Sequence, residues 1–348
     1  MEKALGAGSV AALALALMAM TNDCAPPAPG TVAAEAFAAP DTSALVLVTL
    51  DGVRWQEIFD GVDPALAGRM EHDPSIGRGP RELLPNIHRL FFDGGTVLGD
   101  PRLSGGIEAS ASRHLSIPGY AELSTGAATD CVDNGCVPVL GETLADAVAG
   151  APGDAASAAV FGSWSEIARV SAVHPERLLV QTGHAITEGV LPFPGNGDYV
   201  PDRLTAGRAL EHLRASRPRL LWVALGDTDE WAHRGDYGGY LDALRAADRF
   251  LGELAEELAH LDDYGARATV LVTADHGRDE GFRDHGGPDS APVWLLARGP
   301  RVRRRGPTST SRTRRLRDVA PTARALLGLS PRACATCGEP IAELLSGP

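Results

Sequence analysis

The residues best suited to chemistry lie in one short stretch, Ala268 to Gly287, with the sequence ATVLVTADHGRDEGFRDHGG. Its first six residues are apolar or β-branched and predict a strand that is buried on both faces. After Ala274 come Asp275 and His276, and His285 comes nine residues after His276. In an open α/β sheet, ligands bind beyond the carboxyl ends of the strands. Because Asp and His are among the ligand types that zinc prefers, the stretch predicts part of a metal site.

Two further strands of the same buried type also end in acidic residues. Ala44–Leu50 leads into Asp51, and Leu220–Leu225 leads into Asp227 and Asp229. A single acid after a strand usually caps the next helix. Three strand ends of this kind at one edge of a parallel sheet instead indicate a shared site.

His233 and Ser116 would complete such a site. His233 follows Asp229 by four residues, so one helical turn would place both side chains on the same face. Ser116 precedes Pro118 in LSIPGY, and the proline fits the first turn of a helix that runs to Thr125. The usual role of such a serine is to cap the helix. The same position would also favour an anionic phosphoryl group beside a metal-activated hydroxyl.

Alternating strands and helices would position these residues. Apolar periodicity predicts further helices at 84–92, 141–148, 165–172 (capped by Ser165), 204–215, 240–261 and 319–327, and further strands at 96–98, 158–161 and 292–297. Such alternation predicts an α/β fold with a mostly parallel central sheet and helices on both faces. We expect one folded domain over residues 43–348, with irregular insertions near the site at 60–81 and 183–201.

The first 42 residues predict export. Residues 1–23 contain Lys3 and then the apolar run LGAGSVAALALALMAM, which is typical of a signal peptide. Residues 24–42 are rich in Ala and Pro and predict a tether that begins at Cys24. Lipidation of Cys24 would anchor the protein to a membrane, and soluble secretion is the alternative. The expected location is periplasmic or extracellular.

The charge and cysteine content of the chain indicate which partners and which compartment to expect. The chain has 45 acidic residues against 32 Lys and Arg, for a net charge of −13, which argues against a general nucleic-acid binder. Arginines are concentrated in residues 301–317, where we favour a solvated surface loop over an anion-attracting rim or a membrane contact. The close cysteine pairs Cys131/Cys136 and Cys334/Cys337 favour disulfides in an exported protein, with the pairing open.

Taken in order, these motifs resemble the alkaline phosphatase superfamily, and most closely its nucleotide pyrophosphatase/phosphodiesterase branch. The similarity runs from residue 46 to about residue 329 and is carried by Asp51-Gly52, Ser116-x-Pro118, Thr125-Gly126, Asp229-x-x-x-His233, Asp275-His276-Gly277 and His285-Gly286-Gly287. The resemblance implies a three-layer sandwich in which residues 43–348 form the catalytic domain. It also implies hydrolysis of a small-molecule phosphate ester.

The same resemblance implies two zinc ions. Asp229, His233 and His285 would hold the first ion. Asp51, Asp275 and His276 would hold the second, with Ser116 bridging toward it as the nucleophile that forms a phosphoseryl intermediate. Six N/O ligands with three histidines suit zinc better than magnesium or calcium.

Several positions depart from the phosphodiesterase branch. That branch usually has a threonine nucleophile followed, after the proline, by Asn-His, whereas this chain has Ser116 and then Gly119-Tyr120. An Asn that contacts the phosphoryl oxygen in the branch corresponds to Asn134, which a Cys131–Cys136 bridge would hold rigid. The alternative is that Asp133-Asn134-Gly135 only forms a turn in a small disulfide loop.

Two other functions compete with the phosphate ester hydrolase. Sulfatases share the sheet and the nucleophile position but have an Arg where this chain has Tyr120, and they use a single calcium ion. A non-catalytic surface binding module that retains the fold is the other alternative. If the chain is an enzyme, Trp55 and Gln56 are the residues that we most expect to line its pocket, with Trp164, Trp231 and Tyr199 as further aromatic candidates.

Overall fold

The computed structural model describes residues 43–68, 77–138, 141–150, 157–183 and 198–346. The predicted signal peptide, Cys24 and the tether lie outside the described residues, as do parts of both predicted insertions. Within the described ranges, no helix has the length and apolar character needed to cross a membrane.

Eleven strands are found in the described residues. They are β1 (Ala44–Leu50), β2 (Thr96–Leu98), β3 (Ile107–Glu108), β4 (Ala158–Gly162), β5 (Leu179–Thr182), β6 (Leu220–Leu225), β7 (Ala268–Thr273), β8 (Pro292–Val293), β9 (Leu295–Arg298), β10 (Gly306–Pro307) and β11 (Arg314–Arg315). Eight of them form the main sheet in the order β10-β2-β9-β7-β1-β6-β4-β5, and β11-β3-β8 form a small second sheet.

The centre of the main sheet is parallel. β7, β1, β6, β4 and β5 run in the same direction, whereas β9 runs antiparallel to both β7 and β2. Every residue of β1, β6 and β7 is buried, which agrees with their uninterrupted apolar sequences. In the register, Leu50 lies opposite Leu225 and Thr49 lies opposite Thr273. The carboxyl ends of these three strands are therefore level, as the predicted site requires.

Helices flank the sheet. The described residues contain α1 (Trp55–Phe59), α2 (Pro64–Ala67), α3 (Pro80–Leu83), α4 (Pro85–Ile87), α5 (Ser116–Thr125), α6 (Leu144–Ala149), α7 (Ile167–Ser171), α8 (Asp202–Ser216), α9 (Asp227–His233), α10 (Tyr237–His260), α11 (Asp262–Arg267) and α12 (Val319–Leu327). A π-helix, His88–Phe92, continues α4. α8 packs against β4 and β6, and α12 packs against β1. The predicted α/β fold with a mostly parallel central sheet is confirmed.

Two predicted elements are wrong in detail. α7 begins at Ile167, and Glu166 rather than Ser165 occupies its N-cap position, without a side-chain hydrogen bond. The backbone N–H of Ser165 donates to the Asp198 carbonyl at 2.7 Å. The single strand predicted at 292–297 is divided between the two sheets at Trp294. The indole Nε1 of Trp294 donates to the Val53 carbonyl at 3.0 Å, which ties this break to the segment after β1.

The arginine-rich segment is not a simple solvated loop. Arg314 is buried and pairs with Glu343, and Arg315 pairs with Glu108. Arg312 pairs with Glu339 at 2.7 Å. Our interpretation of this segment as solvated is therefore wrong for Arg314, which is buried beside an acid of the C-terminal residues, whereas Arg312 is exposed as expected.

Candidate metal centre

The predicted ligands converge at the carboxyl edge of β1, β6 and β7. Asp51 follows β1, and Asp275 and His276 follow β7; all three side chains are buried. α9 begins two residues after β6 and carries Asp229 and His233. His285 reaches the same edge from the loop that follows β7.

We call Asp51, Asp275 and His276 the inner group. Nε2 of His276 lies 3.4 Å from Oδ1 of Asp51 and 3.3 Å from Oδ2 of Asp275. Oδ1 of Asp275 accepts a hydrogen bond from the Gly52 N–H at 3.1 Å. Oδ2 of Asp275 is buried and has no hydrogen-bond partner among the residues that the structure describes. Because buried carboxylate oxygens are costly to leave unpaired, this oxygen is suited to a bound cation.

We call Asp229, His233 and His285 the outer group. Nε2 of His233 lies 3.0 Å from Oδ2 of Asp229 and 3.1 Å from Nε2 of His285. Nε2 of His285 lies 3.9 Å from Oδ1 of Asp229. The predicted helical turn between Asp229 and His233 is thus present in α9. The His233 side chain is 43% exposed, so solvent reaches the outer group at this residue.

Backbone carbonyls orient two of the histidines. Nδ1 of His276 lies 2.7 Å from the Gly277 carbonyl, and Nδ1 of His285 lies 3.1 Å from the His114 carbonyl. A carbonyl can only accept, so in each ring Nδ1 carries the proton and, in the neutral form, Nε2 keeps its lone pair. Metal-ligating histidines commonly have this arrangement.

The two groups touch each other. The rings of His276 and His285 stack with their centroids 3.9 Å apart, and ligand atoms of Asp229, His276 and His285 lie within 4.8 Å of one another. Gly52 lies at the junction with a φ of +63°. A Cβ atom added there would lie 2.5 Å from Oδ1 of Asp229, so both the backbone angle and the space favour glycine.

Ser116 is the first residue of α5 and is placed against the inner group. Its Oγ lies 3.2 Å from Nε2 of His276 and donates to Oδ1 of Asp51 at 3.5 Å. Leu115, rather than Ser116, occupies the N-cap position, and Pro118 lies within the first turn of the helix. The alternative role of Ser116 as a helix cap is therefore wrong, and its hydroxyl faces the candidate ligands.

Asn134 lies next to this serine although it comes from a separate segment. Its Oδ1 accepts from the backbone N–H of Ile117 at 3.0 Å. A Cys131–Cys136 disulfide closes the loop that contains Asn134, with a Cα–Cα distance of 5.6 Å, and Arg169 donates to the Cys136 carbonyl. A second disulfide joins Cys334 and Cys337. Asn134 is both part of a turn in a disulfide loop, as the alternative predicted, and adjacent to the proposed nucleophile.

Charge is balanced differently in the two groups. Burial raises the pKa of both inner acids, Asp51 and Asp275. The negative charges of Asp275 and Asp229 raise the pKa of Asp51 further, and the negative charge of Asp229 raises the pKa of Asp275 further. Burial also lowers the pKa of His276. In the outer group, burial would raise the pKa of Asp229, but Arg278 and the two histidines outweigh it and hold that pKa well below its usual range.

Arg278 is the site residue that sequence reasoning missed. Its side chain is fully buried and forms an ion pair with Asp229, and its Nη2 donates to the Arg283 carbonyl at 2.6 Å. The ring of Phe282 lies 5.8 Å from its guanidinium carbon. The available signal was an arginine two residues after His276, but its partner is 49 residues away in the chain.

The aromatic candidates for the pocket have different surroundings. Tyr199 is buried and donates to Asp227 at 2.8 Å and to Asp202 at 3.2 Å, so it braces the segment before α9 instead of lining an open pocket. Nε1 of Trp164 donates to Asp198 at 3.0 Å. Trp55 is half-buried and begins α1, three residues after Gly52.

The donor set as a whole fits divalent metal. It combines three carboxylates and three imidazoles within a few ångströms, one orphaned carboxylate oxygen and two acids whose burial disfavours their charged forms. Bound cations of charge +2 would reverse this last effect. The expectation of a metal-binding site is therefore supported by the residues themselves.

Sequence comparison places this chain near known metalloenzymes. Residues 201–331 match the family model of the Metalloenzyme superfamily, a region that contains all of the outer group and two of the inner ligands. The 2,3-bisphosphoglycerate-independent phosphoglycerate mutase of Halobacterium salinarum is 33% identical over 125 residues, which are 34% of this chain and 23% of that enzyme. The chain thus matches only about a quarter of the length of this relative.

Structural comparison extends the similarity to most of the chain. A protein in the alkaline phosphatase superfamily from Vibrio parahaemolyticus matches with a TM-score of 0.57 and 17% identity, over 84% of this chain and 68% of that one. A putative sulfatase from Bacteroides thetaiotaomicron matches with a TM-score of 0.58 and 13% identity, over 84% and 72%. At these identities the similarity concerns the fold. The predicted resemblance to the superfamily is confirmed, and the phosphodiesterase branch stays a prediction.

Proposed function

With the fold of the alkaline phosphatase superfamily as the premise, we propose that this protein is a metal-dependent hydrolase of phosphate esters that works through a phosphoseryl intermediate on Ser116. The position of Ser116 supports this most strongly. Its Oγ lies within 3.5 Å of ligand atoms of Asp51 and His276, at the N-terminus of a ten-residue helix. Metal activates a hydroxyl in such a place, and the helix N-terminus favours an anionic phosphoryl group.

We propose zinc as the metal, with one ion held by the outer group and one by the inner group together with Ser116. Three imidazoles among six N/O donors favour zinc over magnesium and calcium. When bound, the two cations would lower the pKa of the Ser116 hydroxyl and stabilise negative charge on the attacking and leaving oxygens.

The residues of the chain then have distinct tasks. Ser116 Oγ loses its proton and forms a bond to phosphorus while the bond from phosphorus to the ester oxygen breaks, and the leaving oxygen takes up a proton. A water molecule next attacks the phosphoserine, which restores the serine hydroxyl and releases the phosphoryl product. Asn134, held by its hydrogen bond to the Ile117 N–H, lies where its amide can orient the phosphoryl group.

We also propose that the protein is exported to the periplasm or beyond, either soluble or anchored through Cys24. Two disulfides in the described residues are in keeping with an oxidising compartment. The substrate would be a small phosphate ester, because the chain's net charge of −13 does not favour nucleic acid.

Sulfate ester hydrolysis is the competing activity, because the sulfatase from B. thetaiotaomicron has a similar fold. The position where sulfatases have an Arg is filled here by Tyr120, whose hydroxyl donates to Oδ2 of Asp51 at 3.1 Å. Phosphoryl transfer within one substrate, the activity named for the phosphoglycerate mutase relative, is a further candidate because the matched region carries most of the ligands.

Turnover of three substrates by the purified protein tests the proposal. Bis-p-nitrophenyl phosphate, p-nitrophenyl phosphate and p-nitrophenyl sulfate should be compared, together with the metal content per chain. We expect hydrolysis of at least one phosphate ester, its loss on chelation, and its recovery with zinc at about two ions per chain. Preference for the sulfate would contradict the proposal. A protein with neither metal nor turnover would be a binding module.

A further inference from the structure

A separate cavity lies at the opposite edge of the sheet from the metal centre. Ala268, the first residue of β7, lines this cavity, whereas the metal ligands follow the last residue of the same strand. Its volume is about 400 Å³, in the lower part of the range of small-molecule sites. The second half of α10, α11, the π-helix and the end of β9 form its walls. The metal centre therefore does not account for it.

One wall of this cavity is apolar. It is formed by Leu90, Phe91, Leu251, Leu254, Ala255 and Leu258. Five of these six residues are otherwise packed in the hydrophobic core, and Ala255 packs against that core. A polar ligand such as a sugar or nucleotide would leave its hydrogen-bonding groups unpaired against such a wall.

Two of the residues that line the cavity are arginines. Arg298, at the end of β9, and Arg304 both line it. Burial lowers the pKa of Arg298, and the positive charges of Arg89 and Arg304 lower it further. Asp262 also lines the cavity, but the charges that act most on Arg298 are positive. An anion placed between Arg298 and Arg304 would relieve this repulsion.

We propose that this cavity binds an anionic amphiphile with a single alkyl chain, of which a fatty acid carboxylate is the simplest example. The carboxylate would accept hydrogen bonds from Arg298 and Arg304, since guanidinium groups match carboxylates in geometry. The alkyl chain would lie along Leu251, Leu254 and Leu258. The small volume favours one chain over the two chains of a phospholipid.

Calorimetric titration of the full-length protein with octanoate, decanoate and laurate tests this proposal. Each pair of added methylenes should lower Kd about tenfold, because the chain is buried on apolar side chains. Dodecanol has the same chain as laurate without the charge and should bind at least about tenfold more weakly, as charge-assisted hydrogen bonds are lost. Inorganic phosphate alone should show no saturable binding at this cavity.

Two variants locate the site. Arg298→Gln should weaken the binding of laurate about tenfold but leave the binding of dodecanol unchanged. Ala255→Trp should weaken the binding of both, because the larger side chain fills the space along the apolar wall. Arg208→Gln is the matched control, because Arg208 is an exposed arginine on α8 that pairs with Glu211. Phosphate ester turnover of each variant should equal that of the unmodified protein, which shows that the fold is intact and separates this test from that of the metal centre.

Three results would overturn the proposal. They are equal affinity for laurate and dodecanol, binding of phosphate as tight as binding of laurate, and laurate affinity that is the same in Arg298→Gln and Arg208→Gln. If Ala255→Trp proves unfolded by circular dichroism, the comparison of the two arginine variants still decides the outcome.

Discussion

The inner and outer groups of the metal centre each hold three ligands, but they differ in what balances their charge. The inner group is buried, and the unpaired Oδ2 of Asp275 has no partner among the described residues. In the outer group, Arg278 is paired with Asp229 and His233 is open to solvent. The inner group therefore needs an added cation to balance its acids, whereas the outer group already has the guanidinium of Arg278 beside Asp229. We expect the inner ion to be held more firmly and the outer ion to exchange more readily.

The largest predicted effect is the loss of turnover when the Ser116 hydroxyl, which lies beside the inner group, is removed. Ser116→Ala should lower kcat at least about a thousandfold while the metal content stays the same, because the nucleophile is lost but the six other ligands remain. Steady-state kinetics and metal analysis measure this. Ser124→Ala is the control, since Ser124 is buried in the same helix and its hydroxyl donates to the Ala121 carbonyl. Retained turnover in Ser116→Ala would rule out the phosphoseryl route.

The next effect compares one ligand from each group. Asp275→Asn should lower kcat and the affinity of the inner ion by at least about 100-fold, because loss of even an indirect partner of a metal ligand costs 10–100-fold. His233→Gln should cost about tenfold, because its side chain is 43% exposed and water can replace it. Titration with zinc, followed by activity, measures both. Equal losses in the two variants would remove the distinction between the groups.

Arg278 provides a test of the charge balance of the outer group. Arg278→Gln should lower the free energy of unfolding of the metal-free protein by about 3 kcal/mol, since it removes the fully buried cation that pairs with Asp229. The loss should be smaller with metal bound, because the ion then balances Asp229. Urea unfolding with chelator and with zinc measures the two values, and Arg283→Gln, an exposed neighbour, is the control. Equal loss in both forms would show that Arg278 and the ion act independently.

The smallest predicted effect is a pH-dependent loss of stability caused by His88, which lies outside both groups. Burial, followed by the charge of Arg81, lowers the pKa of His88 from 6.5 to about 4. The folded protein thus binds the His88 proton less well than the unfolded chain does, so this contribution to stability is complete above pH 6.5 and is lost as the pH falls toward 4. We expect a loss of at least about 1 kcal/mol by pH 4.5, since each pH unit between the two pKa values contributes about 1.4 kcal/mol.

Urea unfolding of the metal-free protein at pH 7 and pH 4.5 measures this loss. In His88→Phe, which keeps a ring beside Phe92, the additional loss at low pH should disappear. Parallel pH profiles for the two proteins would contradict the assignment.

The sequence predicted that the residues of the inner and outer groups converge, because three of the strands are uninterrupted apolar runs. Uninterrupted apolar runs such as β1, β6 and β7 are typical of strands at the centre of a parallel sheet. The residues that follow such strands lie together at the carboxyl edge of the sheet. The prediction of Ser116 at a helix start followed from Pro118 in the same way. These are local patterns whose spatial consequence is fixed by the fold.

Other features depend on contacts that a local pattern does not contain. Arg278 has its role only because Asp229 lies beside it in space. The break at Trp294 depends on a carbonyl next to β1, 241 residues away. Ser165 has the sequence of a helix cap, but its backbone N–H donates to the Asp198 carbonyl and the helix begins two residues later. In each case a distant partner overrode a local preference.

Gly52 makes the geometry of the two groups mechanically interdependent. Its N–H holds Asp275 of the inner group, and its bare Cα leaves the space that Asp229 of the outer group occupies. One peptide unit therefore acts as the spacer that sets how far apart the two carboxylates stand. An engineer who wished to retune this centre for a different pair of ions would have to change the ligands, because no larger residue fits at the spacer without pushing the carboxylates apart.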